Sequence, residues 1–132
     1  MTSQTIASLV RRPALGRLAY ATLAALLLTA IAFEAFTHGT GYWQMAAFGF
    51  APDLTLFYGA GKGLARGQLH PRAVGAYNLL HRFWGPLAMF AVAAFGLIGP
   101  GFLIGALAWA FHVALDRAIG YGLRTPDGFQ RR

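Results

Sequence analysis

Four long apolar segments, separated by short connections, constrain this chain more than any other feature. They cover about residues 15–36, 42–61, 73–97 and 102–122. A membrane helix needs about 20 mostly apolar residues to cross a hydrocarbon core of about 30 Å. The runs are continuous and lack the alternation of a membrane β-strand. Because the connections are short, we predict an all-α fold: an integral membrane four-helix up-down bundle in a single domain, residues 1–132.

The scarcity of charge excludes an ordinary soluble enzyme. Charged residues make up 11% of the 132 residues and the mean hydropathy is +0.51, whereas soluble domains carry about 25% charged residues. The absence of cysteine excludes disulfides, thiolate metal sites and cysteine nucleophiles. A net charge of +7 would suggest nucleic acid in a soluble protein. Here the basic residues lie between apolar segments, so we expect the lipid bilayer, and no nucleic acid, as the partner.

The distribution of basic residues predicts the orientation. Ten of the eleven Lys and Arg residues fall on one side of the predicted bundle, and they are Arg11, Arg12, Arg17, Lys62, Arg66, Arg72, Arg117, Arg124, Arg131 and Arg132. The positive-inside rule then places both termini and the middle loop in the cytoplasm of a bacterial inner membrane. The alternative is a cleaved signal peptide ending near Ala30-Ile31-Ala32. It is disfavoured because the apolar run continues through Phe36 to the length of a full span.

Polar residues inside the predicted spans form the candidate metal or proton site, which comprises Asp53, Asn78, His81, His112 and Asp116. Ionisable groups in a span are costly and indicate function. With a rise of about 1.5 Å per residue, Asp53, His81 and His112 lie about 12–13 Å from the cytoplasmic ends of three helices. Asn78 and Asp116 lie about 8–9 Å deep. Asn78 shares a helix face with His81, and His112 shares one with Asp116.

Four further residues are expected to support this site: Tyr77, Arg82, Trp109 and Arg117. Tyr77 lies four residues before His81, and Trp109 lies three before His112, so each extends a polar face. Arg82 is expected either to extend to the lipid headgroups or to pair with a carboxylate, with Asp53 as the first choice. Arg117, close to the cytoplasmic end, is expected to reach the lipid headgroups.

Three sequence blocks carry a resemblance to a known family. They are Ala51-Pro52-Asp53-Leu54, Gly75-Ala76-Tyr77-Asn78-x-x-His81, and His112-x-x-x-Asp116-Arg117-x-x-Gly120-Tyr121-Gly122-Leu123. From about Glu34 to Phe129 the chain resembles a small bacterial polytopic membrane-protein family of unknown function, domain of unknown function four-two-six-zero (DUF4260). The resemblance implies a short polytopic membrane protein and assigns no activity.

Several interpretations of the polar residues stay open. Two imidazoles with one or two carboxylates suit zinc or another divalent metal, and an open position would suit a hydrolase acting on a lipid or polyisoprenoid. Haem b between His81 and His112 is less favoured, because Asn78 and Asp116 make the pocket polar. A proton or substrate pathway would need a homo-oligomer, since four helices enclose little space. The residues could also simply join helices by hydrogen bonds.

The sequence leaves enzymatic activity undecided. The main hypothesis is a multi-pass membrane protein whose intramembrane His/Asp/Asn residues bind a metal or relay protons. The alternative is a non-catalytic accessory or structural subunit of a larger membrane complex, which the small size and short loops would suit.

Overall fold

The computed structural model describes the backbone of residues 3–131 and the side chains of residues 14–131. The topology roles expected for Arg11, Arg12 and Arg132 therefore lie outside the described side chains. The helical elements are α1 (Ser3–His38), α2 (Tyr42–Phe50), a 3₁₀ turn (Ala51–Asp53), α3 (Leu54–Tyr58), α4 (Pro71–Leu80), α5 (Trp84–Ala94) and α6 (Gly101–Ile119). Over residues 3–131 the extended structure is limited to one isolated bridge, Arg124 to Gln130. The prediction of an all-α chain is confirmed.

Two helical segments are long and apolar enough to cross a membrane, Ala14–His38 and Gly101–Ile119. They correspond to the first and last predicted spans. The second predicted span, 42–61, consists of α2, the 3₁₀ turn and α3, and the third, 73–97, consists of α4 and α5.

Prolines account for both interruptions. Pro52 lies at the start of the 3₁₀ turn, and it lacks the N–H that would continue the α-helical hydrogen bonds. Pro86 follows the break between α4 and α5 and cannot donate to the carbonyl of Arg82 for the same reason. The sequence predicts a bend at Pro52, since proline removes a backbone donor. It predicts no break in the third span, because apolar content alone does not register a break of three residues.

Helix α6 lies at the centre of the packing, in contact with α1, α2 and α5. Helix α1 runs antiparallel to it: Arg17 Nε, near the start of the apolar segment Ala14–His38, donates at 2.9 Å to the carbonyl of Ala118, near the end of α6. Toward the other end, Ile31 and Ala35 of α1 pack with Ile104 of α6 in one buried cluster. The two apolar helices therefore pack against each other along one face, and α6 packs on α2 and α5 with its other faces.

Glycine allows α2 to approach α6 closely. Gly101 and Gly105 are buried on the α6 face that meets α2. A Cβ at Gly101 would overlap the Gln44 side chain, and one at Gly105 would overlap the Phe48 ring. The spacing of four residues places both glycines on one face, a pattern also found in close helix pairs of membrane proteins. This contact sets the distance between α6 and the chain that leads to Asp53.

The residues after α6 fold back onto the rest of the protein as a C-terminal tail (residues 120–131). Leu69 N donates to the Gly128 carbonyl at 2.9 Å. The Arg124 guanidinium donates to the Gly67 carbonyl at 2.9 Å and to the Gly128 carbonyl at 2.7 Å. Gly128 has φ +98°, and a Cβ there would overlap the Leu69 backbone, so this close approach requires glycine. Arg124, interpreted from the sequence as an exposed basic residue, is in fact buried in this contact.

Candidate metal site

Two imidazoles and two carboxylates converge in the interior of the helical assembly. The four residues are Asp53, His81, His112 and Asp116, hereafter the His/Asp cluster. Each offers one potential ligand atom, and these four atoms all lie within 4.8 Å of one another. Asp53 comes from the 3₁₀ turn, His81 from the break after α4, and the other two from α6. Three separate parts of the chain therefore meet at one point.

The distances between the potential ligand atoms suit a tetrahedral metal. His112 Nε2 lies 3.3 Å from Asp53 Oδ1 and 3.5 Å from Asp116 Oδ2. His81 Nε2 lies 3.4 Å from Asp116 Oδ2 and 3.7 Å from Asp53 Oδ1. When four ligands surround zinc tetrahedrally at about 2.0–2.1 Å, neighbouring ligand atoms are about 3.3–3.4 Å apart. Four of the six distances between the ligand atoms are therefore close to the spacing that such a site requires, and all six are below 4.8 Å.

Hydrogen bonds to the backbone fix both imidazoles with their Nε2 atoms toward the cluster. His81 Nδ1 lies 2.8 Å from the Tyr77 carbonyl oxygen, and His112 Nδ1 lies 2.8 Å from the Gly49 carbonyl oxygen. A carbonyl only accepts, so each Nδ1 carries the proton and donates. In a neutral imidazole the lone pair is then on Nε2, which is the arrangement of a metal-binding histidine with its second-shell partner.

The cluster lacks a hydrogen-bond donor. Both Nε2 atoms are buried and have no hydrogen-bond partner among the side chains and backbone of residues 14–131. Ionised carboxylates only accept hydrogen bonds. Two lone pairs and two carboxylates thus face the same small space, an unfavourable arrangement for buried groups unless a cation lies among them.

The cluster is closed on its histidine side and more open at Asp53. The His81 side chain is 0% exposed and that of His112 is 11% exposed, whereas Asp53 is 46% exposed. Asp116 is intermediate. Exchange of a ligand or of water would therefore take place beside Asp53.

Two side chains of α6 hold the backbone that carries His81. Trp109 Nε1 donates to the Leu80 carbonyl at 2.8 Å, and Arg117 Nη2 donates to the His81 carbonyl at 2.8 Å. The last carbonyls of a helix have no partner within the helix, and these two donors satisfy them at the end of α4. Because α6 also carries His112, one helix positions both imidazoles.

Tyr77 and Asn78 connect the site to the C-terminal tail. The Tyr77 ring stacks on the His81 imidazole with 3.9 Å between centroids. Its hydroxyl lies 3.4 Å from the Gly122 carbonyl, to which it donates. The Asn78 amide makes two hydrogen bonds to the Arg124 backbone, accepting from its N–H at 2.7 Å and donating to its carbonyl at 3.0 Å.

Of the residues singled out from the sequence, the structure brings Asp53, His81, His112 and Asp116 together and leaves Asn78 beside the tail. Arg82 is exposed and forms no ion pair with Asp53 in the described part of the chain, so that expected pairing is not found. Sequence reasoning missed the role of Arg124. The sequence feature that could have indicated this role is the pair of glycines at positions 120 and 128. They have positive φ and turn the tail back onto the protein.

Comparison with known proteins identifies the family but no function. No curated protein and no solved structure matches the chain. The family described as "Domain of unknown function (DUF4260)" matches residues 17–132, which include the whole His/Asp cluster and the tail. The chain therefore belongs to the DUF4260 family, as the sequence blocks around Asp53, His81 and His112 indicated.

Proposed function

We propose that this protein is a four-span protein of the bacterial inner membrane that binds one divalent cation, with zinc the first candidate, through Asp53, His81, His112 and Asp116. The observation that carries the proposal is the convergence of two buried Nε2 lone pairs on two carboxylates with no donor among them. Zinc binds imidazole and carboxylate ligands in tetrahedral sites. A catalytic role would require a substrate to reach the metal beside Asp53, the exposed member of the cluster.

Exposed apolar side chains support the membrane assignment. Phe36 at the end of α1 is 87% exposed, Phe57 in α3 is 79% exposed and Phe95 after α5 is 83% exposed. The exposed apolar surface therefore extends to the interrupted segments as well as the two apolar helices. Contiguous apolar surface on this scale is uncommon in soluble proteins, and lipid would cover it.

The interrupted helices are compatible with membrane spans. Broken helices occur within bilayers where neighbouring groups satisfy the freed backbone atoms. Trp109 and Arg117 do so at the break before α5. At the other break, His112 Nδ1 donates to the Gly49 carbonyl at 2.8 Å. In each case the irregular backbone faces the protein interior and positions a residue of the His/Asp cluster.

The geometry favours a metal over haem b and over a proton shared within the cluster. A porphyrin between His81 and His112 would need the space in which carboxylate oxygens lie 3.3–3.7 Å from both Nε2 atoms. A shared proton would require a hydrogen bond from Nε2 to a carboxylate, usually about 2.7–2.9 Å long, whereas these N–O distances are 3.3–3.7 Å. A metal ion uses the same four atoms without a hydrogen bond.

The direct test is the metal content of the purified protein. We expect about one zinc per chain after purification in mild detergent, and a tetrahedral absorption spectrum after cobalt substitution. His112→Gln and His81→Gln should each lose the metal. His38→Gln is the matched control, because His38 pairs with Glu34 at 2.9 Å outside the cluster. Equal metal content in His112→Gln and His38→Gln, with both folded, would overturn the proposal.

A further inference from the structure

Two pockets meet at the His/Asp cluster, one lined mainly by hydrocarbon and one with more polar groups in its lining, and Asp53 and Asp116 line both of them. We infer that the protein binds an amphiphile whose apolar chain occupies one pocket and whose anionic, oxygen-rich head group occupies the other, with the metal between them. The inference rests on the proposed metal site and names the class of ligand that the site would take.

The first pocket, the apolar pocket, has a volume of about 400 Å³ and lies between α1, α2 and α6. Its walls are mainly hydrocarbon, with Leu28, Ile31, Met45, Phe50, Phe111 and Leu115 around it. It borders Leu28 of α1, which is 53% exposed on an apolar helix. An alkyl chain could therefore enter from the lipid side, and it would reach His112 at the inner end.

The second pocket, the polar pocket, has a volume of about 530 Å³ and lies against the C-terminal tail. Polar groups from Tyr77, Tyr121, Arg124 and Gln130 line it. The Gln130 amide donates to the Tyr77 hydroxyl at 3.2 Å, which orders this wall. Leu56 and Ile119 complete the lining, so a hydrated head group would lie against the polar part of the wall.

Arg124 gives the polar pocket its preference for an anion. Its residue is 8% exposed, and two of its guanidinium donor bonds go to the neutral carbonyls of Gly67 and Gly128. Its buried Nε has no hydrogen-bond partner within residues 14–131, and no carboxylate there forms an ion pair with it. The guanidinium carbon lies 4.8 Å from the centroid of the Tyr77 ring, a cation–π contact that offsets part of the charge. No carboxylate of residues 14–131 balances the rest, and arginine binds phosphate and carboxylate oxygens well.

The charge balance supports the same ligand. Two carboxylates and one divalent cation with neutral imidazoles would sum to zero, so the Arg124 charge would remain for the ligand. Arg124, Asp53 and Asp116 all line the polar pocket, so an anionic head group there would be near both the guanidinium and the metal. The chain attached to it would continue past Asp53 and Asp116 into the apolar pocket.

The test uses dodecyl phosphate as the probe, with the full chain in phosphatidylcholine nanodiscs loaded with zinc. We expect saturable binding of one probe per chain. Inorganic phosphate and dodecanol, each lacking one half of the probe, should compete at least about 100-fold more weakly. Competition by inorganic phosphate as strong as by unlabelled dodecyl phosphate would show that a free anion is the ligand, and this would overturn the inference.

A matched pair of variants tests the location. Leu28→Trp fills the apolar pocket, whereas Leu87→Trp, at a residue 56% exposed, fills a different apolar groove beside α5. We expect Leu28→Trp to weaken binding at least about tenfold and Leu87→Trp to change it by less than about twofold. Arg124→Gln should also weaken binding about tenfold. Equal effects of the two tryptophan variants would overturn the inference.

Metal content measured on the same samples separates the two proposals. One zinc per chain with no binding of dodecyl phosphate would overturn the amphiphile and leave the metal site. Binding that depends on Leu28 and Arg124 in a chain that holds no metal would support the amphiphile and overturn the metal site. Arg124→Gln also loses the guanidinium hydrogen bonds to the Gly67 and Gly128 carbonyls. If that variant does not fold, the comparison of Leu28→Trp with Leu87→Trp decides the inference.

Discussion

His112 Nε2 lies 3.3 Å from Asp53 Oδ1 and makes no hydrogen bond to it. The proton of this imidazole is held on Nδ1 by the Gly49 carbonyl. Two acceptors are therefore in contact, in a site where every other potential ligand is also an acceptor. The sequence predicts similar depths for His112 and Asp53 in their helices. A cation between their two acceptor atoms would explain why these atoms lie in contact.

Asp53→Asn should have opposite effects on metal affinity and on the stability of the metal-free protein. The amide removes a charged ligand and should lower zinc affinity at least about tenfold. It also supplies an N–H for His112 Nε2, which should stabilise the metal-free protein by about 0.5–1.5 kcal/mol. Thermal unfolding with chelator and a zinc titration measure the two effects.

Glu34→Gln is the matched control for this change, because Glu34 is a carboxylate paired with a histidine outside the cluster. It should leave zinc affinity unchanged and should not stabilise the metal-free protein. If Asp53→Asn lowers stability in chelator as well as zinc affinity, the description of the cluster as a set of mutually facing acceptors is wrong.

Trp109→Phe should lower stability and zinc affinity together. The variant keeps the aromatic packing on Phe48 but leaves the Leu80 carbonyl without its donor, at an expected cost of about 1–3 kcal/mol. Because that carbonyl lies next to His81 in the chain, the imidazole should lose its fixed position and zinc should bind less tightly. Chemical unfolding and zinc titration measure the two effects.

Trp43→Phe provides the comparison for Trp109→Phe. Trp43 is 62% exposed and contacts Phe102 through an edge-to-face pair. This variant should leave zinc affinity unchanged. An equal loss of affinity in both variants would mean that Trp109 acts through general packing and does not position His81.

The sequence was sufficient to predict the helical content and to single out the four cluster residues, because both depend on local patterns. Spacing along a helix places His112 and Asp116 on one face, and apolar content marks the spans. The partners of Arg117 and Asn78 could not be predicted in the same way. Both bind backbone groups, the His81 carbonyl and the Arg124 peptide, and a backbone group carries no residue-specific signal in the sequence.

Asn78→Leu tests whether this residue acts on the tail or on the metal. It removes both hydrogen bonds to the Arg124 backbone, at an expected cost of about 1–3 kcal/mol. Hydrogen exchange of the tail amides should become faster, and proteolysis within residues 120–131 should increase. Zinc content should not change, because the amide faces Arg124. A loss of zinc with an unchanged tail would show that Asn78 is a metal ligand after all.

Gly105→Ala should destabilise the contact between α2 and α6. A methyl group there would overlap the Phe48 ring, and overpacking typically costs about 1–3 kcal/mol. Gly75→Ala in α4 is the control, because no atom lies within 4 Å of the added Cβ. It should stabilise the protein by about 0.5–1 kcal/mol, since alanine favours a helix interior. Thermal unfolding that ranks the two variants in the opposite order would contradict the packing.

Reporter fusions should reveal four membrane crossings with both termini in the cytoplasm. Ten of the eleven basic residues fall on the side that contains the termini and the middle loop, and this asymmetry sets orientation. A reporter active only in the cytoplasm should function after Arg66 and at Arg132. A periplasmic reporter should function after Thr40 and after Gly99. Because the interrupted segments hold Asp53 and His81, periplasmic activity after Arg66 would mean that these segments do not cross as proposed, and that the cluster does not lie within a four-span bundle.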